Sequence, residues 1–419
     1  MRYGWILLLV LAACNLTDPA TTSLPLDGHL VLAWEQGGNL YVWQAGEAAP
    51  QQIATDGVIQ AFIAPDGEQI AYTRGAERAP ETLWIIGVAG SEERPLVGEN
   101  AADYQPGAMQ IGDVVWLDGE TLLFNTLSRS EPTFLPNDDL YAINTASGEI
   151  TPLLPNGDGG RIRISPDKQH VLLINPGIYG ERDGRIQIYD PQTDTAPRDL
   201  LTYPAVATAS EFPFYPEIDW LPDSSAALVA IPDADAIYTE LNLQPMPPVR
   251  LWRLPLANDE PAQVIGTVQA SFFGLPRWSE DASQMLFLRR DTTSGGAVLL
   301  LAEATGADEQ VYLQDAGALL GDVPRWIPGT RQFFYTDVRS SGEALVMRGS
   351  VDAPAMRLSE VGMLLPQFIN AAYYLALFPV NANRLELRLV NVEEGTQQTV
   401  AHFPAESIPR VVFHWQAEG

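Results

Sequence analysis

Five stretches of this chain are variations on one phrase: an apolar run, a punctuation of the Pro-Asp-Gly kind, and a second apolar run. They read FIAPDGEQIAYTR (62–74), RISPDKQHVLLI (163–174), DWLPDSSAALVAI (219–231), RWSEDASQMLFL (277–288) and RWIPGTRQFFYT (325–336). Pro and Gly mark a tight turn between runs that alternate or stay apolar, so each phrase predicts a β-hairpin. A second hairpin follows each one, as in TLWIIGVAGSEERPLV (82–97), RIQIYDPQTDTAPRDLL (185–201) and AVLLLAEATGADEQVYL (297–313). One unit therefore holds four antiparallel strands. The turn position falls at Asp66, Asp118, Asp167, Asp223, Asp281 and Gly329, at intervals of 52, 49, 56, 58 and 48 residues. A more degenerate unit, with PQFINAAYYLALF (366–378) and RLELRLVNVEEGTQQTVAHF (384–403), follows. Four-stranded units at this period are the mark of β-propeller blades. Uninterrupted apolar strands such as VLLLA fit sheets buried on both faces.

The two ends of the chain complete the count. The first segment, HLVLAWEQGGNLYVWQAGEAAPQQIA (29–54), lacks a leading strand, and the last, IPRVVFHW (408–415), is a leading strand without followers. Pairing them in one blade closes the ring and leaves no open edge. The expectation is an all-β, eight-bladed propeller over 29–419, with seven blades if the unit at 364–403 is incomplete. INAA in that unit reads as having lost the turn.

Ahead of the ring, MRYGWILLLVLAAC has one basic residue, Arg2, then an apolar run from Trp5 to Leu11 and small residues. The run is too short to span a bilayer, which takes about 20 residues, and has the shape of a secretory signal. LAAC (11–14) resembles a bacterial lipobox. That resemblance implies cleavage after residue 13, a lipid on Cys14 and a place in the cell envelope, outside the cytoplasm. Cys14 is also the one cysteine of the chain, so no internal disulfide can form. NLTDPATTSLPLD (15–27) reads as a flexible tether, giving residues 14–28 as lipidated cysteine plus linker.

In its repeats the chain resembles the WD40-like propellers of TolB-type periplasmic proteins, on APDGEQIAYTR and RWSEDASQMLFLRR. The resemblance covers most of 29–415 and implies the same ring. Glu280 replaces the proline and Gly329 the aspartate of that pattern. A looser similarity to lipid-anchored propellers of outer-membrane assembly machinery lacks the tryptophan those repeats carry.

Charge narrows the partners. The chain has 24 basic and 53 acidic residues, a formal net charge of -29, and a single lysine, Lys168. Such a surface is repelled by nucleic-acid phosphates and anionic lipid, which excludes sequence-independent nucleic-acid binding and leaves the lipid as the route to a membrane. Familiar catalytic patterns are missing: there is no G-x-S-x-G elbow, no Walker loop, and no metal-ligand spacing among His29, His170, His402 and His414. PDADA (232–236) and NDD (137–139) read as solvated turns rather than calcium loops, and GDGG (157–160) as a turn between blades. Neither a metal nor a cofactor is expected.

Two sets of residues remain as candidates. Trp116, Trp220, Trp278, Trp326 and Trp415 recur at one repeat position and read as wedges between blades. The residues before that position, Arg163, Asp219, Arg277, Arg325 and His414, either pair between blades or line the channel mouth. Antiparallel order sends the connections between first and second strands, and between third and fourth, to one end of the ring; these are short. The long segments 98–113, 127–138, 202–217 and 232–248 all belong to the other end, where loops carry recognition. Their aromatics Tyr104, Phe134, Phe212, Phe214, Tyr215 and Tyr238 either cap the ring or form a binding face. The expectation is a lipid-anchored, monomeric ring that recognises a protein or another envelope component without catalysis. The alternative is an enzyme or small-ligand receptor, for a glycan or peptide, at the channel mouth.

Overall fold

The computed structural model describes residues 24–417 apart from 76–79, 99–107, 131–132, 209–212, 234–247, 258–259, 292–295, 317–323, 339–343, 352, 354 and 359–363. Cys14 and the segment before it lie outside the described residues, as do Tyr104, Phe212 and Tyr238.

Eight antiparallel sheets follow one another around a ring. Blade 1 is composite: the chain end Val411–Ala417 is its innermost strand, followed by Gly28–Gln36, Asn39–Gln44 and Gln51–Ala54. Blades 2 to 8 begin on the inner strands Val58–Ile63, Ala108–Trp116, Arg161–Ile164, Ile218–Trp220, Arg277–Trp278, Arg325–Trp326 and Leu364–Phe368. The unit at 364–403 is a full blade, so the count is eight.

Why the strands are apolar on both faces is visible in the core. Eight hydrophobic clusters exist, one for each pair of neighbouring blades. Alternate residues of one strand go opposite ways: Leu122 and Phe124 pack toward blade 2, while Leu123 packs toward blade 4. Met285 and Phe287 likewise face blade 5, and Leu286 and Leu288 face blade 7. This is the two-residue period of a strand with no solvent side.

The last cluster closes the ring, joining Leu30, Leu32 and Trp34 of blade 1 to Leu375, Leu387 and Phe403 of blade 8. The closing strands run in register from Gly28 opposite Ala417 to Trp34 opposite Val411. The linker's far end is docked, too. The Leu24 amide donates to Gln398 Oε1 at 3.0 Å, and the Tyr373 hydroxyl donates to the Pro25 carbonyl at 2.6 Å.

The repeated turn aspartate has one job. Its carboxylate accepts the amide two residues on: Glu68 at Asp66 (2.9 Å), Glu120 at Asp118 (2.8 Å), Gln169 at Asp167 (3.1 Å), Ser225 at Asp223 (2.9 Å) and Ser283 at Asp281 (3.1 Å). Such side-chain turns are what Asp and Asn do well. Blade 8 keeps the turn that INAA was expected to have lost. Asn370 accepts from Ala372 and Tyr373 at 2.8 and 3.0 Å, as Asp118 does from Glu120 and Thr121, in a turn one residue shorter than the Pro-Asp-Gly form. Blade 7, where Gly329 stands for Asp, uses the Thr330 hydroxyl to accept from Gln332.

Two outcomes follow. Deleting residues 409–419 strips Val411, Phe413 and Trp415 from the closing seam, and should cost about 5 kcal/mol of stability with loss of protease resistance. Asp281 is held below the ordinary carboxylate value of 3.8 by the Ser279 hydroxyl. Its contribution is therefore complete above that pH and is lost as pH falls through the folded value. Asp281→Asn should keep the turn and flatten the acid limb of the melting curve slightly, whereas Asp281→Ala should cost about 1 kcal/mol.

Candidate functional site

The two ends of the ring differ in their chemistry. Ten large apolar side chains are exposed among the described residues. Ile59, Leu135, Ile178, Tyr179, Phe273, Val380 and Ile408 lie at the long-loop end; Val264, Val311 and Met356 lie at the starts of outermost strands, just past the turns of the other end. Exposed apolar side chains gathered at one end are informative in a way that scattered ones are not.

Within that rim, residues from three blades and their connections meet. Arg161 opens the inner strand of blade 4, and its guanidinium lies 4.0 Å from the ring centre of Tyr215, which ends the loop into blade 5. Burial pushes the Tyr215 phenol up to about 12, reinforced by Asp138 and Asp113 and opposed by Arg161 and Arg182. It is therefore a protonated hydrogen-bond donor at neutral pH and not a base. Asp138, in a left-handed conformation at φ 49°, is buried and receives Arg182 at 3.1 Å. Burial holds its carboxyl above the ordinary range, against the pull of Arg182. The Tyr203 hydroxyl is fully buried without a hydrogen-bond partner, at the other end of the same loop as Tyr215.

Glycine makes this convergence geometrically feasible. The Gly157 and Gly159 amides donate to the Asp138 carbonyl at 2.9 and 2.6 Å. A Cβ on Gly159 would collide with the Asp138 and Asp139 carbonyls. The GDGG segment is thus a turn, as expected, and also the brace that fixes Asp138. Asp139 does not face the site; its carboxylate accepts from the Thr126 amide at 2.7 Å and is structural. The segment 127–138, expected as a plain loop, is in part a hairpin: Thr133–Pro136 pairs back on Leu127–Ser130 and adds a fifth strand to blade 3.

The aromatics flagged in the sequence are not brought together. Phe214 is buried between blades 4 and 5 beside Phe272, 5.8 Å away. Phe134 lies on the added strand, opposite Arg129. Tyr215 stands in the constellation; Tyr104, Phe212 and Tyr238 lie outside the described residues. Arg161, Asp113 and Arg182 were missed by sequence reasoning. The signal for Arg161 was its place two residues before Arg163, on the same side of the strand.

The other flagged residues sit nearer the short-turn end and mostly serve the ring. Asp219 receives Arg277 at 2.9 Å and the Trp278 amide at 3.1 Å, joining blades 5 and 6. Arg277 also meets Glu217 at 3.3 Å. Burial keeps the Asp219 carboxyl above its ordinary value even with Arg277 beside it. Arg163 donates to the Ile162 carbonyl at 2.8 Å, and Arg325 is exposed. The preceding blade presents Arg277 where Arg325 would need an acid. The half-buried His414 is pushed down by burial and by His29, and its Nε2 has no partner. The Trp116 and Trp326 indoles donate to the inner-strand carbonyls of Phe62 and Arg277 in the preceding blade, at 3.0 and 2.9 Å. Those geometries are structural wedges. Among the described residues no group of three His, Cys, Asp or Glu is placed to hold a metal ion.

No protein-family model matches the sequence, and no curated protein matches it. Solved structures do share the architecture. Dipeptidyl peptidase 4 of Porphyromonas gingivalis aligns at a TM-score of 0.56 and 10% identity, over 90% of this chain and 60% of that one. A prolyl endopeptidase aligns at 0.51 and 13%, over 85% and 50%. An oligogalacturonate lyase aligns at 0.50 and 16%, over 78% and 87%. This chain thus spans about half the length of the prolyl endopeptidase. At such identities the likeness is one of fold.

These neighbours correct the expectation of a non-catalytic recognition module. The ring that it was built on occurs in two peptidases and a lyase, so missing nucleophile motifs do not argue for a role without catalysis. The alternative, a substrate or small ligand at the channel mouth, fits the neighbours better.

Removing one partner of the Asp219–Arg277 pair should be costly, because it strands a poorly solvated charge. Asp219→Ala should lower stability by about 2 kcal/mol, less than a fully buried pair since Arg277 is 31% exposed. Asp219→Leu with Arg277→Met should recover most of it, as read by urea denaturation.

Proposed function

We propose that this ring handles short peptide substrates at the long-loop mouth of its channel, as the substrate-binding part of a peptide-processing activity. The observation that carries the reading is the Arg161–Tyr215–Asp138–Arg182 constellation: fixed polar groups at the end of the ring that also exposes Leu, Ile, Val, Tyr and Phe side chains. Apolar walls with a few oriented polar groups are the usual make-up of a small-ligand site. A peptide fits better than a glycan, since the tryptophans that might stack on sugars are spent between blades. The two peptidases among the neighbours, matched over 60% and 50% of their length, are in keeping with a ring that serves as one part of such an enzyme.

The lipobox belongs to the same proposal. Acylation of Cys14 would tether the ring on the outer side of a bacterial membrane. The TolB-type character of the repeats remains a reading of the sequence beneath the propeller fold.

The full chain should bind members of a fluorescent tetrapeptide library, measured by anisotropy, and mass spectrometry of the same mixtures would reveal turnover. Tyr215→Ala should weaken binding at least tenfold. Binding confined to oligosaccharides, or no ligand at the mouth, would overturn the peptide reading.

A further inference from the structure

We propose that Arg161 recognises a carboxylate of the bound peptide; the inference rests on the peptide-handling reading and names the group that is selected.

The arginines around the mouth differ in how they are occupied. Arg277 is saturated by Asp219 and Glu217. Arg182 is held by Asp138, Arg185 donates to the Gly157 carbonyl at 3.3 Å, and Arg163 donates to the Ile162 carbonyl. Arg161 has no hydrogen bond or ion pair among the described residues; its contact is the Tyr215 ring. Counting back from the turn aspartates explains the difference. Arg161 stands six residues before Asp167, and Glu217 stands six before Asp223. The acid at this repeat position therefore appears one blade later, where it serves Arg277 and not Arg161.

The Tyr215 ring holds the guanidinium in place, and no hydrogen bond among the described residues occupies its N–H groups. A planar fork held in that way matches the two oxygens of a carboxylate, which a lysine at the same place would meet only as a point charge. The two acids nearest Tyr215, Asp138 and Asp113, are engaged elsewhere. Asp138 is taken by Arg182, and Asp113 accepts the Ile162 amide at 2.9 Å. The Tyr215 hydroxyl, kept protonated, adds a neutral donor beside Arg161.

The carboxylate has two sources in a peptide, the C-terminus and an acidic side chain. The test titrates the full chain with the tetrapeptide Ala-Leu-Phe-Leu as free acid, the same peptide as its C-terminal amide, and the amide with Glu in place of Phe. The free acid, the Glu amide or both should bind at least tenfold more tightly than the plain amide, and the pattern names the source. Arg161→Ala should abolish the preference, and Arg161→Lys should retain about a third of it or less. Arg161→Met preserves the stem on Tyr215 should the alanine variant fold poorly. Equal binding of all three peptides to the wild type would overturn the carboxylate inference while leaving the peptide reading intact. A preference that survives in Arg161→Lys and Arg161→Met would overturn the role of Arg161. Binding of none of the three would remove both.

Discussion

Every sheet in this molecule has two apolar faces, and no sheet can cover its own. Eight such sheets satisfy one another by standing in a circle, and the circle works if the eighth meets the first. The strand Val411–Ala417 is where that condition is met. It supplies the inner edge of blade 1 and places Leu30, Leu32 and Trp34 against blade 8. Each sheet–sheet interface then becomes equivalent to the others, and no exposed inner strand is left to pair with another chain.

Given closure, the two ends of the ring are free to diverge. At the short-turn end, side-chain acceptors lock each hairpin. Links between blades, such as the Trp116 and Trp326 indoles on neighbouring carbonyls and Asp219 on Arg277 and the Trp278 amide, hold the inner strands in step. The opposite end carries none of that repetition. There blade 3 grows a fifth strand, the loop from 203 to 217 delivers Tyr215, and GDGG folds under Asp138. A rigid scaffold with irregular loops at one end is a common way to build a site. Seven of the ten exposed large apolar side chains among the described residues lie at that same end.

The charge of the molecule is arranged with the same division. Acidic residues dominate the chain as a whole, while arginines occupy the inner strands of blades 4, 6 and 7. Of these four, Arg277 is neutralised by carboxylates and Arg163 is spent on a carbonyl. Electrostatics at the mouth is thus set by a few fixed groups rather than by the overall charge, since screening limits the reach of the remainder.

Blade architecture, closure by the chain ends and the segregation of long loops were legible in the sequence, because strand alternation and turn chemistry are local and repeat. Even the degenerate blade was within reach: Asn370 does what Asp118 does in a turn of the same length, and the Asn-Ala-Ala spelling, without Asp or Gly, hid the equivalence. The site was much less legible. Phe214 and Tyr215 are adjacent and equally aromatic, yet one is buried against Phe272 and the other stacks on Arg161. No periodic rule separates them, because the loop that carries them has no period. Whether an arginine is paired depends on which residue the neighbouring blade presents about 50 positions away. The sequence by itself determined a closed ring of seven or eight two-faced sheets with its long loops on one side. Only the tertiary structure decided which polar groups meet at the mouth, since that is settled by contacts between blades and not within them.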